Sequence, residues 1–170
     1  MNNVKIYLDA YADDPGALAI KAAFMVFEAN LVPAKMLSNG AESIKISERA
    51  YLLDSENLLA LTGKANQLRF TPVIFGGSID KSIPLYERII SNYDKGLYRK
   101  EKDWIYINTM VILAGTYEKK KKYDKACQVY EKILLFDNDI GWVQNELYPA
   151  CLEKAGRKLP GEDMESIASY

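Results

Sequence analysis

Apolar residues along the second half of the chain recur every three or four positions. Tyr123, Ala126, Cys127, Tyr130, Ile133 and Leu134 fall on one helical face, and Asp124, Lys125, Gln128, Glu131 and Lys132 fall on the other. Met110, Leu113, Ala114 and Tyr117 mark an earlier helix in the same way. Lys119 to Lys122 lie between the two, and Asp137-Asn138-Asp139 follow, so the spacing predicts a helical hairpin over Ile107 to Asn138. A single hairpin of this kind cannot bury its apolar faces alone; it needs stacked neighbours.

The same pattern runs more loosely upstream. Val4, Tyr7, Leu8 and Tyr11 predict a helix over 4–12, ended by Asp13-Asp14-Pro15-Gly16. Asp14 is placed to cap the next helix, with Pro15 in its first turn. That helix, 17–30, is apolar nearly all round, which predicts burial on more than one side. A connection with Pro33 and Gly40 is expected over 31–40, then a helix over 41–53. Leu58, Leu61, Ala65 and Leu68 start another helix, which stops at Thr71 because Pro72 disfavours helical backbone before it. Val73, Ile74 and Phe75 follow, and some of them are expected to tuck inward. Gly76-Gly77 supports a tight reversal and lacks the Gly-Lys-Ser/Thr ending of a phosphate loop. Ser78 is placed to cap a helix carrying Ile79, Ser82, Ile83, Tyr86, Ile89 and Ile90. A charged linker is expected over 91–103, broken by Gly96. The last helix, 140–154, holds Pro149 inside it and is expected to kink there and to end at Gly156.

Leu113, Ala114, Tyr117, Tyr123, Ala126, Tyr130 and the ending Leu135-Phe136-Asp137-Asn138 resemble the tetratricopeptide repeat family. Leu53-Asp54-Ser55-Glu56-Asn57 is similar to the link between its repeats. The sequence departs from the family pattern at the turn, where a lysine replaces glycine, and at the exit, where Asn138 replaces proline. The resemblance implies an all-α solenoid of about three antiparallel helix-hairpin repeats, 17–54, 58–92 and 104–138. A C-terminal cap helix over 140–155 completes a single domain, 1–156, followed by a tail, 157–170. It further implies that the first helices of the repeats line a concave groove that binds a protein or peptide. Carried over by helical phase, the groove candidates are Lys21, Met25 and Glu28, then Thr62, Asn66 and Arg69, then Val111, Gly115 and Glu118. The run from Pro72 to Ser82 is also similar to a loop of some bacterial repeat proteins, among them periplasmic partners of solute transporters. That resemblance implies an alternative, a small-molecule-binding or transporter-accessory protein with a pocket near 72–78.

Composition narrows the chemistry. The 170 residues suit one domain, and 49% hydrophobic content suffices for a packed core. A formal net charge of −1 offers little to nucleic acid. No apolar run approaches the ~20 residues that span a bilayer. The opening residues lack a basic segment followed by an apolar one, so no signal peptide is expected, although the start equally suits a chain whose leader has been removed; bacterial cytoplasm and periplasm both stay open. The chain has no histidine, which removes the commonest general base and neutral metal ligand. Cys127 and Cys151 both sit in apolar helical patterns; the plainer reading is two buried core thiols, and the spacing does not indicate a disulfide. Asp13-Asp14 and Asp137…Asp139 lie at helix ends, where capping accounts for them. A non-enzymatic protein without cofactor or metal is therefore expected.

Overall fold

A computed structural model describes residues 2–98 and 103–158. Among the described residues there are eight α-helices and no strand. They fall into two compact units, one up to Tyr98 and the other beyond it.

The first unit holds α1 (Asn2–Ala10), α2 (Pro15–Leu31), α3 (Met36–Leu53), α4 (Leu58–Phe70) and α5 (Ile79–Asp94). Its helix starts are set by side chains that satisfy otherwise unpaired N–H groups. The Asp14 carboxylate accepts from the Ala17 N–H at 2.6 Å, with Pro15 at the first helical position. Asn57 accepts from the N–H groups of Leu59 and Ala60, both at 3.1 Å. Ser78 accepts from the Lys81 N–H at 3.3 Å.

α3 begins at Met36, so the connection expected over 31–40 is far shorter, and Gly40 lies inside a helix. A 3-10 turn over Pro33–Lys35 runs straight into α3. Asn39 ties this first stretch back to α2, donating to the Met25 carbonyl at 3.4 Å and to Glu28 at 3.1 Å. Met36 and Leu37 are exposed, so this part of α3 carries no apolar stripe that would mark it as helix.

α2 and α3 form an antiparallel hairpin, as the pairings of Glu28 with Asn39 and of Asp13 with Arg49 require. α4 and α5 form another, with the Tyr86 hydroxyl donating to Asn66 at 2.8 Å and Arg88 reaching the Ser55 carbonyl. α2 and α4 run parallel, because Gly16 faces Leu59 and Ala19 faces Gly63 one turn further on. The core joins Leu18, Ala22 and Met25 of α2 to Ile46 and Ala50 of α3 and Ala60 of α4. α2 is buried on more than one side, against both α3 and α4, but its remaining face leaves Phe24, Phe27 and Leu31 exposed. The apolar face that Tyr7 and Tyr11 mark on α1 is also exposed, and their rings lie 4.8 Å apart.

The second unit holds α6 (Trp104–Lys119), α7 (Tyr123–Phe136) and α8 (Tyr148–Lys154). The hairpin of α6 and α7 matches the predicted one. Tyr106, Met110, Leu113, Ala114 and Tyr117 are buried with Ala126, Cys127, Tyr130 and Ile133. Lys121 in the turn takes φ +56°, the left-handed region, at a cost of about 1 kcal/mol that glycine would avoid. Asp103 caps α6. Of the expected 91–103 linker, residues up to Asp94 belong to α5, and Gly96, at φ +74°, turns the chain after it.

The kink expected at Pro149 is taken up as a π turn over Val143–Leu147. There the Tyr148 N–H reaches back to the Val143 carbonyl. Proline has no N–H to continue the ordinary ladder, and one wider turn accommodates it. Gly156, at φ +68°, ends α8 as anticipated.

Cys127 of α7 and Cys151 of α8 form a disulfide across 24 residues, with Cα atoms 5.7 Å apart, correcting the reading of two core thiols. Apolar periodicity shows that each sulfur faces inward. Only the packing of α8 on α7 brings the two to bonding geometry. Closing a loop of this length contributes about 3 kcal/mol through the unfolded chain. Cys151→Ala is expected to lower unfolding stability by about that amount. Urea titration checks the loss, and thiol titration of the unaltered denatured chain, which should find no reactive thiol, checks the bond itself.

Burial pushes the Tyr86 phenol above its ordinary value, and burial together with the Glu118 carboxylate does the same for Tyr130. Both folded values are raised, so above pH 10 the unfolded chain releases these protons first. Their contribution to stability, complete below that pH, is lost as pH rises through and beyond it. The urea midpoint is therefore expected to fall between about pH 8 and about pH 11; an unchanged midpoint would show the phenols to be solvated.

Candidate functional site

A cleft of about 450 Å³ lies between α2, α3 and α4 of the first unit. From α2 it receives Ala19, Ala22, Ala23, Val26 and Asn30. α3 contributes Ser43, Ile44 and Ser47, and α4 contributes Gly63, Asn66, Gln67 and Phe70, with Thr71 at its end. Helical spacing makes this stripe: one turn separates Ala19 from Ala22 and Ala23, and the next brings Val26. The floor is made of small residues because α2 and α4 approach closely there. The lining is mostly apolar, with side-chain amides from Asn30, Asn66 and Gln67.

Among the described residues no ionisable side chain lines the cleft. Asn66 is oriented by the Tyr86 hydroxyl, which donates to its carbonyl oxygen at 2.8 Å. Gln67 is held by Lys64, which donates to its side-chain oxygen at 3.0 Å. Lys64 in turn pairs with Glu48 of α3, so its charge is balanced. The Ser43 hydroxyl donates to the Gly40 carbonyl at 2.8 Å. Ser47 differs: its residue is 4% exposed, and its hydroxyl has no hydrogen-bond partner among the described residues.

Of the nine residues singled out in the sequence, Asn66 lines the cleft. Met25 is buried in the core beside it. Lys21 is half-buried. Glu28 is taken up by Lys35 and Asn39. Thr62 is half-buried, and the Arg69 guanidinium sits 5.1 Å from the Phe70 ring centre. Val111, Gly115 and Glu118 belong to the other unit. There Glu118 accepts from the Tyr130 hydroxyl at 3.0 Å and pairs with Lys154 at 2.5 Å. That hydrogen bond raises the Lys154 pKa above its ordinary value. On α2 the cleft-facing stripe runs one position away from the phase borrowed from the family. Two parallel series carry the signal: Ala19, Ala22, Ala23, Val26, Asn30 and Gly63, Asn66, Gln67, Phe70. Each passes from small residues toward larger ones at helical spacing.

The insertion between α4 and α5 closes on its own backbone. The Pro72 carbonyl accepts from the Phe75 N–H at 2.9 Å and the Gly77 N–H at 3.2 Å. Val73, Ile74 and Phe75 form a 3-10 turn and remain 81%, 84% and 57% exposed, contrary to the expectation that some turn inward. The self-contained turn holds them away from the helices.

Among the described residues no group of three His, Cys, Asp or Glu is placed to hold a metal ion, and no helix is long and apolar enough to cross a membrane. No family model, curated protein or solved structure matches the chain.

The two glycines of the insertion are not equivalent. A Cβ on Gly77 would stand 1.7 Å from the Thr71 carbonyl oxygen, whereas a Cβ on Gly76 meets nothing within 4 Å. Gly77→Ala is expected to cost more than about 2 kcal/mol and to open the turn. Gly76→Ala, strained only by its φ of +88°, is expected to cost about 1 kcal/mol. Paired urea titrations distinguish them; equal losses would contradict the close approach.

Proposed function

We propose that the protein is a non-enzymatic scaffold of tetratricopeptide-like helical hairpins that binds a protein or peptide segment in the cleft of its first unit. The observation that carries this reading is the cleft itself. It is mostly apolar with amides in its lining, and its volume of about 450 Å³ suits two or three side chains of a bound segment. The repeat assignment is supported by the three hairpins, by the parallel pair α2 and α4, and by the small residues between them. The lining amides suit an extended backbone, which presents unpaired N–H and C=O groups at regular intervals.

A second reading, a small-molecule-binding or transporter-accessory protein, draws on Phe70 and Thr71, which join the cleft to the root of the insertion. The exposed Val73, Ile74 and Phe75 would then touch a partner. The Cys127–Cys151 disulfide suits an oxidising compartment such as a bacterial periplasm and bears on both readings.

Selection of a phage-displayed library of random 12-residue peptides, followed by calorimetry, tests the first reading. Val26→Glu places an unpaired charge in the cleft and is expected to weaken selected peptides by about tenfold or more. Leu52→Glu, on an exposed outer position of α3, is expected to change nothing. Peptides indifferent to Val26→Glu would sink the cleft reading.

A further inference from the structure

Two residues at the floor of the cleft stabilise the free chain less than alanine would. Gly63 lies in the interior of α4, where glycine is a poorer helix former than alanine. Packing does not require it. A Cβ built there meets the Ser47 hydroxyl oxygen at 3.5 Å and the Ala19 Cβ at 3.7 Å, both ordinary contacts. The close approach of α2 and α4 would therefore survive an alanine.

Ser47 faces this same gap from α3. It is 4% exposed, and its hydroxyl makes no hydrogen bond among the described residues, an arrangement that costs stability wherever it persists. The hydroxyl lies just under the floor, and a turn about one side-chain bond separates its staggered positions. Glycine at 63 leaves a gap of about one methyl group beside it, in contact range of Ser47 and Ala19. The fold calls for a small residue at 63 but not for glycine, and it leaves the Ser47 hydroxyl without a partner among the described residues.

We propose that Ser47 and Gly63 form the specificity point of the cleft, taking an uncharged hydrogen-bonding group of the ligand, a peptide amide or side-chain carboxamide, and refusing a charged one. This rests on the reading of the cleft as a peptide site. Refusal follows from the lining. Lys64 and Glu48, next in sequence to Gly63 and Ser47, pair with each other, so a carboxylate or ammonium entering the cleft would be desolvated without an opposite charge. A neutral amide supplies what the Ser47 hydroxyl lacks, and the missing side chain at position 63 gives it room.

The test uses the full chain and defined probes: N-acetyl-glutaminamide as the neutral group and N-acetyl-glutamate as the charged one. Backbone amide shifts in a two-dimensional NMR titration are the readout. The neutral probe is expected to move Ser47, Gly63 and Asn66 and to bind about tenfold more tightly than the charged one. Ser47→Ala and Gly63→Ala are each expected to weaken it by about tenfold, the loss of one buried hydrogen bond or of the room for it. Both variants are also expected to hold or raise Tm, by up to about 4–8 °C for a unit of this size. A Tm well below that of the parent chain in either variant would assign that residue to the fold and overturn the proposal. So would equal binding of the two probes, or neutral binding that both variants retain. If probes bind and are lost with Val26→Glu while Ser47→Ala and Gly63→Ala leave them unchanged, the specificity point falls and the cleft reading stands. If neither probes nor selected peptides move the cleft resonances, both fall.

Discussion

The contact between the parallel helices α2 and α4 sets the first unit. It is made at Gly16, Ala19 and Gly63, where side chains are small enough for the backbones to come close. Each helix is also one arm of an antiparallel hairpin, so the contact places α3 against both. Large residues at these positions would push the hairpins apart and thin the core around Ala22, Ala50 and Ala60. The cleft is a consequence of the same choice. Helices held close by small residues leave a furrow where their faces diverge, and Val26, Ile44 and Phe70 become its walls.

Local chemistry then fixes where each helix starts. Asp14, Asn57, Ser78 and Asp103 each use a side-chain oxygen to satisfy a first-turn N–H, so four helix starts are set within the chain itself. Ends are handled differently. Gly96 and Gly156 adopt positive φ to turn the backbone, and Lys121 does the same at greater cost. The second unit adds a covalent constraint that the first lacks. Its closing element is short, interrupted by a π turn, and contributes few buried side chains, and the Cys127–Cys151 bond holds it to α7.

The polar groups of the cleft divide by whether the fold has already used them. Ser43, Asn66 and Gln67 have partners that orient them. Ser47 has none among the described residues. About one residue in four of the chain is charged, yet among the described residues none lines the cleft.

Period and punctuation were legible in the amino-acid sequence by itself. The apolar repeats of α6 and α7, the stop before Pro72 and the caps at Asp14 and Ser78 are local properties of backbone and side chain, and they determined an all-helical chain. Where a stretch of helix is exposed, as at Met36 and Leu37, there was no apolar stripe to read, and the start of α3 went unseen. The cleft, the exposure of Phe24 and Phe27 on an apolar helix and the pairing of Cys127 with Cys151 were decided only by tertiary structure. Each depends on how one helix is rotated about its axis against another. One residue of sequence turns a helix face by about 100°, so a phase error of one position moves Lys21 into the stripe and Ala22 out of it. That rotation is set by the packing of side chains from distant segments, which periodicity within one segment does not contain.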